Sequence, residues 1–168
     1  LNVGDWVLST HDEQGALWVV HRLEPLTTLA RKDADGHHHT VVSNVDTAFL
    51  VMGLDADFNP QRLERYLALV QGNGVLAVVV LTKADGAPDL AEARVAELRG
   101  RLGNALDIVA VDGRSPEAIA ALQPYLGLGQ TVVMLGSSGA GKSTLTNTLL
   151  GQQRQDTGTV RMHDSRGK

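Results

Sequence analysis

The sequence predicts an α/β fold, a parallel sheet with helices on both faces, preceded by part of a small β-unit. Helical patterns alternate with short strands, and this order indicates a parallel sheet. Residues 1–44 differ, with shorter strands and more turns. Four apolar runs are almost uninterrupted, as in strands buried on both faces: residues 48–54, 75–81, 108–111 and 131–135.

The N-terminal stretch predicts the last part of an all-β unit. Residues 3–9 and 17–23 have the composition of short strands, and a turn at residues 12–15 separates them. Too few residues precede position 45 for a complete domain of this kind. We therefore place a domain boundary there, with residues 1–44 as a partial β-unit and linker.

A polar segment at residues 31–40 predicts a loop or linker. It contains three consecutive histidines, which we interpret as solvated because consecutive side chains cannot easily surround one metal ion. Trp6 and Trp18, earlier in the β-unit, either pack inside it or stack on RNA bases. The sequence supports both alternatives equally.

Three helices are predicted between the apolar runs, each with a stripe of apolar side chains that packs on the sheet. The first is capped by Asn59, the second follows Pro88, and the third begins at Ser115 and Pro116. Their stripes are, in order, Leu63, Tyr66, Leu67 and Val70; Ala91, Val95, Leu98 and Leu102; and Ile119, Leu122 and Leu126.

Composition narrows the class of protein. The 168 residues are 43% hydrophobic and 20% charged, without an apolar run of membrane-spanning length or a secretory signal, so we expect a cytoplasmic protein with no membrane partner. Cysteine is absent, which excludes disulfides and thiolate metal sites. The net charge of −4 argues against wrapping by nucleic acid over the whole surface. Basic residues nevertheless crowd residues 154–168, either as a solvated tail or as a phosphate contact.

A phosphate-binding P-loop follows the last apolar run. Glycines let backbone N–H groups turn towards phosphates, and the amino end of the next helix adds its dipole. Lys142 brings a positive charge to the β- and γ-phosphates, and the Ser143 hydroxyl is a ligand for Mg²⁺. We expect both to act in catalysis, and Thr144 to join the nucleotide site. The pattern G-x-x-x-x-G-K-[ST] is met by Gly136, Ser137, Ser138, Gly139, Ala140, Gly141, Lys142 and Ser143.

A second motif predicts that the base is guanine. Thr82, Lys83 and Asp85 match (N/T)-K-x-D, directly after the second apolar run. The Asp85 carboxylate can accept two parallel N–H donors from guanine, whereas adenine offers no such pair. The alkyl stem of Lys83 can lie along the base. Gly113, after the third run, can present an N–H to the base as well.

The order of the two motifs is unusual. In an ordinary GTPase the P-loop precedes the base motif, whereas here Asp85 precedes Gly136. Strands and helices connect the two motifs smoothly, so we predict a circularly permuted P-loop GTPase domain over residues 45–168. Asp55 and Asp57 also follow an apolar run, but we place that strand away from the phosphates and interpret them as turn and cap residues.

The motifs and their order resemble the RsgA (YjeQ) family of GTPases that depend on the small ribosomal subunit. The resemblance implies an N-terminal OB-fold, a permuted GTPase domain and a C-terminal zinc domain. It also implies GTP hydrolysis with Mg²⁺ during late maturation of the small subunit, with that subunit and its rRNA as partners. The resemblance to this family is carried by residues 4–7, 44–47, 57–59, 62–67, 81–85, the P-loop with Asn147, and residues 157–168.

The chain departs from the family pattern in ways that limit its own activity. Its start at Leu1 and its polar end suggest a fragment that lacks both ends and stops within switch I. The switch threonines and the D-x-x-G loop, which position Mg²⁺ and water, are absent, so we expect the fragment to be weakly active or inactive. Asp112 and Gly113 replace the usual Ser-Ala. The alternatives are a GTP-gated ribosome-binding module that does not hydrolyse GTP, and a P-loop ATPase or kinase.

Overall fold

The computed structural model describes residues 1–32, 35 and 38–151. Within them, eight strands and four α-helices form. The strands are β1 (Val7–His11), β2 (Leu17–Arg22), β3 (Thr28–Lys32), β4 (His38–Ser43), β5 (Thr47–Gly53), β6 (Leu76–Thr82), β7 (Asp107–Ala110) and β8 (Val132–Leu135). The helices are α1 (Pro60–Val70), α2 (Pro88–Leu102), α3 (Pro116–Leu122) and α4 (Lys142–Leu150).

A parallel sheet in the order β7-β6-β5-β8 organises the described part of the chain. All seven residues of β5 are buried, as are the last five of β6, which explains their uninterrupted apolar sequence. The prediction of a parallel sheet is confirmed, with strand ends within one residue of the predicted runs. Because β5 lies between β6 and β8, its carboxyl end is central.

Helices cover both faces of the sheet, as predicted. Helices α1 and α2 pack on the face that presents Leu50 and Leu81, whereas α3 and α4 pack on the face that presents Phe49 and Val80. The predicted cap of α1 is confirmed, because the Asn59 side chain accepts a hydrogen bond from a backbone N–H in the first turn. The loops that lead from a strand into the next helix lie at the carboxyl ends of the strands.

The predicted apolar stripe of the third helix is partly wrong. Ile119 is exposed, and Ala118 and Leu122, one turn apart, are the buried residues of α3. The helix ends at Leu122 in a 3-10 turn over Gln123–Tyr125, so Leu126 packs from beyond the helix. The predicted spacing selected Ile119, whereas the smaller Ala118 is the residue that joins the apolar cluster with Leu122 and Leu145.

The loop predicted at residues 31–40 is wrong at its two ends, where residues 31–32 and 38–40 belong to strands, while Asp35 lies in a turn. Strands β3 and β4 pair antiparallel across this segment, which places His39 in a strand opposite Arg31. Leu29 and Val42 face the core beside α1 and β5, whereas Arg31 and His39 are exposed. His37 lies outside the described residues.

The first hairpin is solvated. Strands β1 and β2 pair antiparallel around the predicted turn, and β1 begins at Val7 rather than at residue 3. Trp6 is 68% exposed and Trp18 60% exposed, so in the described residues neither packs inside a β-unit core. The indole N–H of Trp18 donates to Asp12 at 2.8 Å.

Two further predictions from the sequence concern membrane-spanning helices and the last residues of the chain. Among the described residues, no helix is long and apolar enough to span a bilayer. The basic stretch and the predicted entry to switch I, residues 152–168, lie outside the described residues.

Candidate functional site

The P-loop has the backbone that its glycines predict. Gly139 and Gly141 have φ angles of +81° and +93°, a left-handed region in which a side chain is strained. Gly136 is required for another reason, since a Cβ there would lie 2.4 Å from the Val51 carbonyl oxygen of β5. The loop therefore lies directly against the central strand before it enters α4.

Lys142 is the first residue of α4, and its ammonium group turns back over the loop. Its Nζ donates to the carbonyl oxygens of Gly136 at 2.8 Å and Ser137 at 2.6 Å. Partial burial lowers the pKa of Lys142, and the negative charge of Asp57 opposes that shift. Within the described α4, the first turn contains no acidic residue, so no carboxylate of that turn offsets the positive end of the helix dipole.

The remaining P-loop residues differ in how exposed they are. Ser138 is exposed, whereas Ser143 and Thr144 are partly buried in the first turn of α4. Backbone N–H groups at this end of a helix have no acceptor within the helix and are available to an anion. A serine hydroxyl at this position is an oxygen donor of the kind that Mg²⁺ prefers, so the residues fit a magnesium-nucleotide ligand.

Thr82 and Lys83 connect the base motif to the P-loop. The buried Thr82 hydroxyl donates to the Ala140 carbonyl at 2.6 Å. Lys83 adopts a left-handed φ of +64°, and its Nζ donates to the Gly139 carbonyl at 2.9 Å. A non-glycine residue in that region costs on the order of 1–3 kcal/mol, and such strain is concentrated at functional sites.

The other two base-site candidates lie beside these contacts. Asp85 is exposed in a 3-10 turn, Ala84–Gly86, so its carboxylate can reach a ligand from solvent. Gly113 is buried, and its carbonyl accepts the Thr148 hydroxyl of α4 at 2.7 Å. The Ala84 N–H donates to the Val111 carbonyl at 3.3 Å, which joins the loops after β6 and β7. The structure thus brings together all the loops that the sequence singled out.

The position assigned to Asp55 and Asp57 from the sequence is wrong. We expected their strand to lie away from the phosphate site, but β5 is next to β8 in the sheet. The Asp57 carboxylate accepts the Ser137 hydroxyl at 2.6 Å, and the Asp55 carboxylate accepts Lys83 Nζ at 2.6 Å. Both residues also stabilise their own turn, since the Asp57 N–H donates to Asp55 at 3.1 Å.

The charge of Asp55 is stabilised in place. Partial burial on its own would raise the pKa of the Asp55 carboxyl, but the hydrogen bond from Lys83, the Asp57 N–H and the Lys83 charge outweigh it, so the pKa is lowered. Asp55 is therefore ionised at neutral pH and pairs with Lys83 beside the P-loop.

One feature of the sequence indicates that Asp55 and Asp57 could lie at the site. They come directly after a buried strand, and the carboxyl ends of parallel strands are where ligands bind. What the sequence does not reveal is the order of strands across the sheet. That order decides whether the end of β5 lies beside the P-loop or far from it.

A metal ion bound by the protein alone has no support here. Among residues 1–32, 35 and 38–151, no three His, Asp or Glu side chains are arranged to hold one.

Comparison with known proteins identifies the family. The RsgA GTPase family model matches residues 22–168. The chain is 52% identical to the small ribosomal subunit biogenesis GTPase RsgA of Xylella fastidiosa strain M23, over 99% of this chain and 49% of that protein. It is 50% identical to the protein of the same name from Xanthomonas campestris pv. campestris strain B100, over 99% of this chain and 45% of that protein. The chain thus spans about half the length of these relatives.

Solved structures show the same fold. YjeQ from Thermotoga maritima matches with a TM-score of 0.70 and 29% identity, over 89% of this chain and 51% of that one. YloQ, a circularly permuted GTPase, matches with a TM-score of 0.62 and 25% identity, over 86% of this chain and 48% of that one. The permuted fold predicted from the motif order is confirmed. The chain belongs to the RsgA GTPase family.

Proposed function

We propose that this chain is the guanine-nucleotide-binding part of an enzyme that hydrolyses GTP to GDP and phosphate. The observation that carries the proposal is the junction of the base motif and the P-loop, through the Thr82–Ala140 and Lys83–Gly139 hydrogen bonds. A junction of this kind would let a purine and its phosphates bind on one continuous surface. Family membership supports the same conclusion.

The phosphate end of the site supplies positive charge. Lys142 Nζ and the N–H groups of residues 136–144 would bind the β- and γ-phosphates and stabilise the charge that develops in the transition state. Ser143 would hold Mg²⁺, which neutralises phosphate charge when it is bound with the nucleotide.

The base end of the site supplies specificity. Asp85 would accept the two N–H donors of guanine, and the stem of Lys83 would lie along the ring while its ammonium stays on Gly139. Gly113 would present its N–H to the base. Adenine would leave Asp85 without donors, which disfavours ATP.

The biological role follows from the names of the relatives. We propose that the full-length protein acts in biogenesis of the small ribosomal subunit, in the cytoplasm, with that subunit and its rRNA as partners. Residues 1–44 would belong to an OB-fold and residues 45–168 to the permuted GTPase domain. Zinc would be bound by a C-terminal domain outside these residues, as the family resemblance implies.

Competition binding tests the nucleotide assignment. A fluorescent GDP analogue would be bound to the wild-type protein and to Asp85→Asn, then displaced with GTP or ATP. We expect displacement by GTP and not by ATP in the wild type, and loss of that preference in the variant. Equal competition by ATP, with an Asp85→Asn variant like the wild type, would refute guanine specificity and favour an ATPase.

Hydrolysis is tested separately. Single-turnover GTP hydrolysis by the full-length protein would be measured with and without small ribosomal subunits. We expect subunits to accelerate hydrolysis. Tight GTP binding with no hydrolysis in either condition would instead support a GTP-gated binding module.

A further inference from the structure

The segment between β5 and α1, residues 54–59, contacts the P-loop at Ser137. In this segment, one carboxylate oxygen of Asp57 accepts a hydrogen bond from the Ser137 hydroxyl at 2.6 Å and another from the Arg62 guanidinium. The other oxygen accepts the Gly53 N–H at 3.2 Å. The Asp57 side chain is 15% exposed, so its position is set by protein donors.

We propose that Asp57 is a positioning residue that holds the P-loop in its phosphate-binding conformation through Ser137. The proposal rests on the proposed function. Ser137 is the point at which two contacts meet, since its hydroxyl donates to Asp57 while its carbonyl accepts Lys142 Nζ at 2.6 Å. The carboxylate thereby acts on the loop from the side of β5.

The charges around Asp57 suit this role. A hydrogen bond to a carboxylate is stronger than one between neutral groups. An uncompensated carboxylate would repel a bound phosphate, but Arg62 pairs with Asp57. Arg62 is itself held at the start of α1, where its N–H donates to the Asn59 side chain at 3.0 Å. A chain of contacts thus runs from α1 through Arg62 and Asp57 to the P-loop.

Such an anchor has a thermodynamic use. A loop rich in glycine loses much conformational freedom when it orders around a ligand. If the competent conformation is held before binding, the apparent affinity is not reduced by the fraction of molecules in other conformations.

Ser137→Ala is the direct test, because it removes the hydrogen bond and keeps the charge of Asp57. We expect the full-length variant to bind the fluorescent GDP analogue about three- to tenfold more weakly than the wild type. Ser137→Thr, which keeps a hydroxyl, should restore binding to within about twofold. Asp57→Asn should weaken binding less in the Ser137→Ala background than in the wild-type background, because both changes act on the Ser137–Asp57 hydrogen bond, whereas the loss of the Arg62 ion pair is common to both backgrounds.

Hydrogen exchange in the nucleotide-free protein provides a second measurement that does not depend on the ligand. We expect faster exchange of the amides of residues 137–140 in Ser137→Ala. Glu64→Gln is the matched control. Glu64 lies in α1, as Arg62 does, and the change removes an exposed ion pair with Arg101 of α2. It should change neither exchange in the P-loop nor GDP binding.

The outcomes separate the two proposals. If the wild type binds GDP and Ser137→Ala matches it in affinity and exchange, the role of Asp57 is refuted and the proposed function stands. Independent, additive effects of Asp57→Asn and Ser137→Ala would refute it as well. If the wild type binds no guanine nucleotide, the proposed function fails, and the exchange rates alone decide whether Asp57 holds the loop.

Discussion

At the scale of single residues, side chains of the base motif contact the P-loop directly. The Thr82 hydroxyl, which the sequence assigns to the nucleotide site, is buried against the Ala140 carbonyl. The Cβ of an alanine at Gly141 would lie 3.1 Å from the same hydroxyl. Thr82 is thus positioned to set where the P-loop lies relative to the base motif.

Thr82→Val tests that role, because it keeps the shape of the side chain and removes the hydroxyl. Loss of a buried hydrogen bond is expected to lower the free energy of unfolding by about 1–3 kcal/mol, measured by urea denaturation. We also expect weaker GDP binding. Thr82→Ser is the control, and it should bind GDP like the wild type. A Thr82→Val protein with unchanged stability would show that the hydroxyl contributes nothing.

The Asp55–Lys83 ion pair predicts a dependence on pH. The pKa of Asp55 is lowered in the folded protein, so its contribution to stability is present above the ordinary carboxyl pKa of about 4 and is lost as the pH falls through the folded value. Asp55→Asn should therefore be less stable than the wild type at neutral pH, by less than about 1 kcal/mol because the pair is half exposed. Urea denaturation from neutral to acidic pH should show this difference shrinking below about pH 4. A difference independent of pH would contradict the prediction.

The sequence predicted the P-loop and base motif because each is a local pattern whose residues are close in the chain. It did not predict the contacts of Asp55 and Asp57, because these join positions 28 and 80 residues apart. It also misplaced Ile119, since the spacing of apolar residues alone does not show which face of α3 packs on the apolar cluster.

At the scale of elements, the close approach of the P-loop to β5 constrains the site. Strand β8 pairs with β5 as far as Leu135 opposite Leu50, and Gly136 then passes over the Val51 carbonyl. Strand β8 therefore brings the P-loop against β5 so closely that position 136 has no room for a side chain.

Gly136→Ala should displace the loop. A Cβ 2.4 Å from a backbone oxygen cannot be accommodated without movement, and we expect a loss of about 1–3 kcal/mol in stability and at least about tenfold in GDP affinity. Gly100→Ala is the matched control in α2, where a Cβ meets no atom within 4 Å. It should stabilise the protein by about 0.5–1 kcal/mol and leave GDP binding unchanged. Equal behaviour of the two variants in urea denaturation and binding would contradict this account.

At the scale of the whole molecule, the two hairpins differ in how they join the sheet. Leu29 of β3 and Val42 of β4 belong to the same apolar cluster as Leu50 and Leu63. Most large apolar side chains of β1 and β2 are instead exposed. The predicted boundary at residue 44 therefore separates residues that share one core. The shared core could not be predicted from the sequence, because the sequence does not show which face of a half-exposed hairpin packs against the helices and the sheet.

Leu29→Ala tests the shared core. The side chain is 1% exposed, and its truncation should cost about 2–5 kcal/mol in the free energy of unfolding. Leu17→Ala, at a position 64% exposed in β2, should change stability by about 0.5 kcal/mol or less. Hydrogen exchange should show β3 and β4 opening together with β5 and β6. Exchange of β3 and β4 at the rate of β1 and β2 would place them outside the shared core.

The exposure of Trp6 and Trp18 has an optical consequence. They are the two tryptophans of the sequence. All indole emission therefore comes from β2 and from the residue that precedes β1, and none comes from the parallel sheet. Emission should be red-shifted and open to quenching by acrylamide in the native protein. Unfolding followed by this signal would report on the hairpin, while far-ultraviolet circular dichroism reports on the helices around the sheet. A mismatch between the two transitions would therefore measure how independently the hairpin melts.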